Sequence, residues 1–441
     1  MIGKLQSIFK IPELRRRIVF TLALLVVYRL GSHVPTPGVD TAALQYFFRQ
    51  NAGTLFGLYD LFAGGNLSKA TIFALGIMPY ISASIIFQLL TAVIPYFERL
   101  QKEGDEGRKK ITQYTRYGTV ILSVIQAYGI SMFLESLTVG VGSGTTASVV
   151  PSGGMAFRLL TILTLTSGTI FVMWLGEQIT ERGIGNGISL IIFIGIVARY
   201  PSDWLRTAQM MQTGNLSPFV MAFVGIVMVA VIAGVIMITQ GQRRIPVQYA
   251  KRIIGRKIYG GQSTHIPLRV NTAGVIPIIF AQSVIMFPST AATLFFRDSD
   301  AMQAFASLFD PGSPIYNILY TVIIIFFTYF YTAIIFNPAD LADNMRKYGG
   351  FIPGIRPGKR TSEYIDRILT RVTLPGGVFL ALIAILPYFL IDRFNVPFYF
   401  GGTGLLIVVG VGLDTLQQIE SHLLMRHYDG FMKKGRMRGR R

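Results

Sequence analysis

A glycine-rich motif between two apolar stretches has a spacing that could bind a nucleotide. The stretch RGIGNGIS places Gly183, Gly185 and Gly187 in weak resemblance to a dinucleotide-binding fingerprint. That fingerprint requires a preceding β-strand within a βαβ unit. Here the motif follows one long apolar run and opens another. We therefore expect a tight turn with close helix packing, and no bound cofactor.

Titratable side chains are rare inside the apolar runs, although ion-coupled transporters usually place Asp, Glu or His at the membrane midplane. Asp60 and Glu177 lie near the ends of such runs, where snorkelling or headgroup contact accounts for them. This argues against a transporter, while a transporter with an uncharged binding site stays open. The chain has no cysteine and four histidines. Phosphate-loop, zinc-protease and serine-hydrolase motifs are absent from the sequence, so we expect no catalytic site and no metal site.

Two segments are strongly basic. Residues 243–269 carry seven Lys and Arg and no acidic residue, and residues 351–360 (FIPGIRPGKR) are stiffened by proline and glycine. Such segments can orient the chain and attract anionic lipid. Alternatively, ordered basic loops form a docking surface for a soluble partner or for RNA phosphate. The residues by themselves leave both interpretations open.

The composition indicates a protein that crosses a membrane many times. Of the 441 residues, 51% are hydrophobic and 14% are charged, and the mean hydropathy is +0.50. Soluble domains contain about 25% charged residues. The composition therefore excludes a disordered chain, a nucleic-acid-binding tail protein and an ordinary cytosolic enzyme.

Ten apolar runs are long enough to be membrane-spanning helices, which need about 20 residues. They lie near 18–36, 71–95, 117–136, 156–176, 184–200, 216–239, 271–290, 315–337, 373–391 and 402–420. About four fifths of the 41 Lys and Arg residues lie on one side of these runs, which the positive-inside rule places in the cytoplasm. Both termini are then cytoplasmic, and the two five-span halves have opposite topology, as in inverted repeats.

The segment 54–73 (TLFGLYDLFAGGNLSKATIF) has apolar residues at helical spacing but is too short to span a membrane. Gly64, Gly65 and Asn66 interrupt it. It is either a re-entrant half-helix inside a cavity or an amphipathic helix at the outer interface.

Over almost its whole length the sequence resembles the SecY/Sec61-alpha family of protein-conducting channel subunits. The motifs that carry this resemblance are GIMPYISASII (76–86), KEGDEGRKKITQYTRYGT (102–119), ITERGIGNGISLIIF (179–193), RRIPVQYAKR (243–252), QSTHIPLRVNTAGVIPIIFA (262–281), FIPGIRPG (351–358) and FYFGGTGLLIVV (398–409). The resemblance implies an all-α polytopic membrane protein with ten spans in two inverted five-helix halves. These halves form an hourglass pore with a re-entrant plug half-helix, and the short loops imply the bacterial form.

The resemblance also implies the parts of the pore. A ring of apolar side chains at the waist corresponds to Ile81, Ile85, Ile188, Ile192, Ile279 and Ile407. The plug corresponds to about 60–70, including Asp60, Leu61, Phe62, Ala63, Gly64, Gly65, Asn66 and Leu67. A lateral gate toward lipid corresponds to Ser82, Ser84 and Gln88 on one side and Asn271, Thr272, Gln282 and Ser283 on the other.

The basic segments correspond to docking sites for the ribosome and for the SecA motor ATPase. Their predicted contact residues are Arg243, Arg244, Lys251, Arg252, Arg256, Arg356, Lys359 and Arg360. SecE and SecG subunits, signal sequences, nascent polypeptides and anionic lipids are the other implied partners, and the implied location is the bacterial cytoplasmic membrane.

The expected function is passage of unfolded secretory polypeptides across that membrane and sideways release of membrane-protein helices. We expect an N-terminal half at 1–200, a C-terminal half at 201–420 with cytoplasmic loops at 240–270 and 338–372, and a basic tail at 421–441. The alternative is a secondary transporter of a small solute with a 5+5 inverted repeat. A transporter needs a polar midplane site, whereas the midplane residues identified above are six isoleucines.

Overall fold

A computed structural model describes residues 11–50, 55–141, 145–214, 217–249, 252–254, 257–259, 263–295, 304–305, 308–309, 313–394 and 403–434. These residues are mainly helical. In chain order the helices are α1 (Pro12–Gly31), α2 (Thr41–Gln50), α3 (Leu55–Phe62), α4 (Met78–Val93), α5 (Pro95–Lys102), α6 (Asp105–Ser136), α7 (Met155–Arg182), α8 (Gly187–Val197), α9 (Tyr200–Gln212), α10 (Pro218–Gln240), α11 (Ile276–Phe295), α12 (Pro314–Ile335), α13 (Pro338–Lys347), α14 (Lys359–Phe394) and α15 (Thr403–Lys434). The strands are β1 (Thr138–Val141), β2 (Thr145–Ser148), β3 (Gln242–Tyr249), β4 (Arg252–Ile254), β5 (Lys257–Tyr259), β6 (Ser263–Arg269) and β7 (Gly350–Phe351).

Each of the ten apolar runs overlaps one of these helices, namely α1, α4, α6, α7, α8, α10, α11, α12, α14 and α15. Within the described part of the chain, six helices are long and apolar enough to cross a membrane, or seven if α4 and α5 count as one span bent by 96°. The chain is thus an α-helical, multi-pass membrane protein.

Proline begins many of these helices. It occupies the first turn of α1, α4, α5 and α10, where its missing N–H has no intrahelical partner to lose. Pro95 also explains the bend between α4 and α5. The preceding Ile94 is extended (φ −100°, ψ 120°), as a residue before proline prefers to be.

The chain divides into two compact units. The first comprises Met1–Met210, Ser283–Ser313 and Val411–Arg441. Small residues allow its helices to approach closely, as in other membrane helix bundles. A Cβ built on Gly168 of α7 would lie 1.9 Å from the carbonyl oxygen of Ile72, and one on Gly118 of α6 would lie 2.9 Å from the ring of Phe87 on α4.

The second unit comprises Met211–Gln282 and Pro314–Gly410. Its helices α12 and α14 pack where Gly377 faces Thr328, and α10 meets α14 where Gly234 faces the ring of Phe379. A three-stranded antiparallel sheet of order β6-β3-β7 belongs to the same unit. This sheet, together with the β1–β2 and β4–β5 hairpins, adds short strands to the all-helical fold that we expected.

Candidate functional site

The six isoleucines predicted to form a ring lie on four helices. Ile81 and Ile85 are one turn apart on α4, and Ile188 and Ile192 are one turn apart on α8. Residues four apart share a helix face. Ile279 lies on α11 and Ile407 on α15. Ile188 is half-buried, while the other five are at most 4% exposed. Four belong to the first unit and two to the second, and their closure into one ring stays a prediction.

The glycine motif positions two of these isoleucines. Asn186 caps α8 by accepting hydrogen bonds from the backbone N–H groups of Ile188 and Ser189. The N–H of Gly187 donates to Thr180 Oγ1 of α7 at 2.9 Å. A Cβ on Gly187 would lie 1.9 Å from the carbonyl oxygen of Gly176. The motif is therefore a tight turn between two closely packed helices, as the sequence predicts.

The same turn is fastened to the first and last helices. The N–H of Ile184 donates to Thr21 Oγ1 of α1 at 3.0 Å. The N–H of Gly185 donates to Gln418 Oε1 of α15 at 2.9 Å. Both donors are backbone groups of a loop, so these side chains satisfy bonds that the loop cannot make within itself. The start of α8 is thus held from two directions.

The segment predicted to be the plug contains a short helix and a reversed turn. Helix α3 has eight residues and ends at Phe62. Gly64 (φ 72°) and Gly65 (φ 80°) then adopt the left-handed conformation, which glycine reaches without a steric penalty. The N–H of Gly65 donates to the carbonyl oxygen of Asp60 at 2.7 Å. The chain therefore turns sharply, as the sequence predicts for this breakpoint.

This segment is packed inside the first unit. Phe62, Ala63, Asn66 and Leu67 are each at most 6% exposed. Asn66 Nδ2 donates to Tyr28 Oη of α1 at 3.1 Å and to the carbonyl oxygen of Ala63 at 2.6 Å. Of the two interpretations left open above, burial favours a segment enclosed by protein over a helix lying at the outer interface. Leu61 lies on α3, and its side chain is outside the described residues.

Snorkelling was the wrong explanation for Asp60. Asp60 is 3% exposed, and its Oδ2 accepts a hydrogen bond from Arg199 Nη1 at 3.0 Å. Its Oδ1 accepts from the backbone N–H of Ser68 at 2.8 Å. A buried carboxylate is tolerated when it is paired and hydrogen-bonded in this way. Asp60 is therefore a structural element of the segment.

Snorkelling was also the wrong explanation for Glu177. Arg116 Nε of α6 donates to its Oε1 at 2.8 Å, and the Glu177 side chain is 14% exposed. The pair joins α6 and α7 at the ends nearest the predicted cytoplasmic side. The sequence contains no local signal for it, because the two residues are 61 positions apart.

Two of the predicted lateral-gate residues border one cavity. Ser82 of α4 and Ser283 of α11 line a mostly apolar cavity of about 120 Å³ within the first unit. The other lining residues are Tyr59, Met78, Leu122, Ile125, Gln126, Met286, Phe287 and Thr290. Sequence reasoning missed Tyr59, which lies on α3 just before the predicted plug, and Gln126 of α6.

Of the other five predicted gate residues, four bond close to their own positions and Gln282 bonds to a neighbouring helix. Gln88 Nε2 donates to Ser84 Oγ on the same helix at 3.1 Å. Asn271 and Thr272 donate to carbonyl oxygens three residues away, just before α11. Gln282 is fully buried, and its Nε2 lies 3.5 Å from Tyr316 Oη of α12. Their part in a gate seam stays a prediction.

The two basic segments fold together in the second unit. Strand β3 pairs with β6 along its length, and it also pairs with β7 at Gln248–Phe351 and Tyr249–Gly350. A small apolar core lies beneath the sheet, formed by Ile245, Val247, Leu268, Met345, Ile352 and Ile365. Alternation of the buried Ile245 and Val247 with the exposed Arg244, Pro246 and Gln248 matches the period of a strand.

This sheet and the following loop present exposed basic residues. Arg243 and Arg244 lie on β3, and Arg356, Lys359 and Arg360 lie in or just after the loop that follows β7. The hydroxyl of Thr361 donates to the carbonyl oxygen of Arg356 at 2.9 Å and holds that loop. Arg252 begins β4, and its side chain, like Lys251 and Arg256, is outside the described residues.

Comparisons with known proteins agree with this architecture. The SecY family model matches residues 71–416. The chain is 46% identical over 431 residues to the protein translocase subunit SecY of Aquifex aeolicus, covering 98% of this chain and 99% of that one. It is 48% identical over 429 residues to the subunit of the same name from Escherichia coli K12, covering 97% and 96%.

Solved structures show the same fold at lower sequence identity. The structure described as that of a protein conducting channel aligns with a TM-score of 0.65 at 18% identity, covering 94% of this chain and 96% of that one. Sec61 in a canine ribosome–channel complex aligns with a TM-score of 0.61 at 17% identity, also covering 94% and 96%. By its family model and its close relatives, this chain belongs to the SecY family.

Proposed function

We propose that this chain is the channel subunit through which unfolded secretory polypeptides cross the membrane and membrane-protein helices leave sideways into lipid. The observation that carries the proposal is the burial of apolar side chains at the predicted waist, where five of six isoleucines are at most 4% exposed. A small-solute transporter needs polar groups at this depth to bind its cargo. Isoleucine side chains offer no polar group. Membership of this chain in the SecY family also disfavours a transporter.

An apolar ring suits a channel whose cargo has any sequence. Because isoleucine has no donor or acceptor, it cannot trap one polypeptide segment in preference to another. An apolar constriction also excludes ions by dewetting when no polypeptide fills it. Packing of the ring around an empty pore would therefore keep the membrane sealed without a dedicated ion barrier.

The segment 60–70 closes the outer side of this pore in our proposal. Its short helix, its glycine turn and its burial against α1 and α8 support a compact stopper that can move as a unit. One aligned structure is described as showing that the SecY plug domain stabilises the closed state and maintains a membrane seal. Here Asp60 and Asn66 would fix the stopper in its seat.

We assign the lateral gate to α4 and α6 on one side and to α11 and α12 on the other. The cavity bordered by Ser82 and Ser283 supports this assignment, because it is lined by residues of α4, α6 and α11. Its mostly apolar lining suits the apolar core of a signal sequence. The two inverted halves would be 1–200 and 201–420, followed by a basic tail at 421–441.

The basic sheet is the proposed docking surface for the ribosome and for SecA. Its exposed guanidinium groups can bind either phosphate or carboxylate, so one surface could serve both partners in turn. Aligned structures include Sec61 in a canine ribosome complex and yeast Ssh1 bound to the 80S ribosome. These partners would supply the energy for translocation, and SecE and SecG would complete the channel in a bacterial cytoplasmic membrane, with both termini cytoplasmic.

A disulfide cross-link tests the proposal directly, because the natural chain has no cysteine. The variant Ile279→Cys carries one thiol in the predicted ring. A secretory precursor with a single cysteine is stalled in membranes that contain this variant, and a disulfide is sought. The matched control is Val229→Cys on α10, where the native side chain is 67% exposed.

We expect a cross-link at Ile279 and none at Val229. Repeating the experiment with cysteine at the five other ring positions maps the constriction. If the precursor is engaged and none of the six positions cross-links, the ring is merely a packing element. That result would overturn the channel proposal and restore the transporter alternative.

A further inference from the structure

Arg199 is the partner of the buried plug carboxylate of Asp60, and no motif in the sequence pointed to it. Its Nη1 lies 3.0 Å from Asp60 Oδ2, and the two side chains are 31% and 4% exposed. The other carboxylate oxygen accepts from the N–H of Ser68. Both oxygens of a carboxylate that is nearly inaccessible to solvent are thus satisfied while the plug is seated.

Arg199 extends from a fixed base. It lies two residues after α8 ends at Val197, and its N–H donates to the carbonyl oxygen of Ile196 at 3.1 Å. Its own carbonyl oxygen accepts from the N–H of Asp203 and from Ser202 Oγ. A cation at a helix C-terminus is also favoured by the helix dipole. The backbone of Arg199 is therefore held at the junction of two helices, whereas Asp60 lies on a short helix followed by a glycine turn.

We infer that Arg199 is a positioning residue that holds the plug closed through its ion pair with Asp60. The inference rests on the proposed function, since it needs a channel that this segment seals. A buried ion pair that loses one partner is strongly destabilised. The same two groups in water interact weakly, because solvent screens them. Asp60 is buried only while the plug is seated, so Arg199 removes a penalty that the seated state alone would bear. The pair therefore acts as a reversible latch.

The neutral contact beside it is a weaker tether. Asn66 Nδ2 donates to Tyr28 Oη, but Asn66 Oδ1 is buried without a hydrogen-bond partner among the described residues. A buried acceptor that is left unpaired disfavours the state in which it is buried. Seating the plug therefore leaves one polar atom unsatisfied, and we assign the stabilisation of the seated state mainly to the ion pair.

The test measures resting ion conductance of the purified translocase complex in planar bilayers without precursor. Arg199→Gln leaves a buried, unpaired carboxylate, so we expect the resting conductance to rise by about tenfold or more. Arg199→Lys keeps the charge and should stay near the natural level. The matched control is Arg158→Gln, which breaks the ion pair with Glu135 (2.7 Å) between α6 and α7, a pair that contains no plug residue.

A double-substitution cycle separates the ion pair from a general structural effect. Asp60→Asn removes the carboxylate, and Arg199 is exposed enough to be hydrated, so a smaller rise is expected. Asp60→Asn combined with Arg199→Gln leaves no buried charge and should conduct less than Arg199→Gln alone. This non-additivity is the signature of direct coupling, and it remains measurable if Arg199→Gln lowers the amount of folded protein.

The outcomes are distinct. Unchanged resting conductance of Arg199→Gln, or equal rises in Arg199→Gln and Arg199→Lys, would overturn the latch. So would additive effects in the double variant. Precursor translocation by the natural complex is measured in parallel. If the natural complex translocates no precursor, the proposed function is wrong. The latch is tested separately, by the conductance results alone.

Discussion

Gly64 of the plug turn and Gly195 of α8 meet backbone to backbone. A Cβ built on either residue would lie 2.9 Å from the Cα of the other. Real side chains do not approach this closely, so each position requires glycine while the plug is seated. The contact explains why a left-handed turn, with Gly64 at φ 72°, can lie against the helix that carries Ile188 and Ile192. Any side chain at Gly195 would push the backbone of Gly64 away from α8.

Gly195→Ala is therefore expected to loosen the plug. Its added methyl group forces Gly64 to shift, and overpacking of this kind costs about 1–3 kcal/mol. Resting ion conductance in bilayers should rise by about 5- to 150-fold if that cost acts only on the closed state. Gly225→Ala on α10 is the matched control, because a Cβ there would meet no atom of the described residues within 4 Å. Equal conductance of the two variants would contradict a seated plug at this contact.

Gly187→Ala is expected to destabilise the protein rather than open it. The new Cβ would lie 1.9 Å from the carbonyl oxygen of Gly176, so α7 and α8 must separate. A loss of about 2–4 kcal/mol is expected, at the upper end of ordinary substitutions. The measurement is the temperature at which detergent-solubilised protein aggregates. At Gly412 an added Cβ meets nothing within 4 Å in the part of the chain that the structure describes, so Gly412→Ala should leave that temperature within a degree or two of the natural value. Equal temperatures would refute the close packing.

The sequence was sufficient to predict the helices and the turns, because both depend on neighbouring residues. Each of the ten apolar runs overlaps a helix, and the glycines in RGIGNGIS and at Gly64–Gly65 marked turns that the structure contains. Asp60 was misread because its partner Arg199 is 139 positions away. Only the folded chain brings the two together, so local patterns could not distinguish a buried ion pair from a snorkelling carboxylate.

The predicted gate residues show that local sequence also does not give the direction of a polar side chain on a helix. Polar residues on apolar helices are easily recognised in a sequence, but the sequence does not show which neighbours their side chains face. Ser84 and Gln88 bond to each other on one helix, whereas Ser82, only two residues from Ser84, lines the cavity. The basic sheet was missed for a different reason. The strand signal in the segment 243–269 is only two residues long, Ile245 and Val247, and it lies among basic residues; β3 buries both beneath the sheet.

Arg356→Glu is expected to weaken docking of a soluble partner. Arg356 is exposed, and its loop is held by Thr361, so charge reversal should change recognition more than folding. The Kd for SecA or for ribosomes should rise by about tenfold at low salt, and the effect should shrink as salt screens the surface. Arg356→Lys keeps the charge and should change the Kd less. A Kd independent of both salt and substitution would exclude this loop from the contact.

The apolar constriction is tested by a pair of neighbouring residues on α8. Ile192 is a predicted ring residue, whereas Ile191 is its equally buried neighbour, and each is 2% exposed. Asparagine at either position buries a polar group and should reduce stability by about 1–3 kcal/mol. Only Ile192→Asn should also wet the pore and raise resting ion conductance, because it places an amide in the constriction. Ile191→Asn controls for the loss of stability, since successive residues of a helix point about 100° apart. If both variants conduct equally, Ile192 packs between helices and does not line the pore.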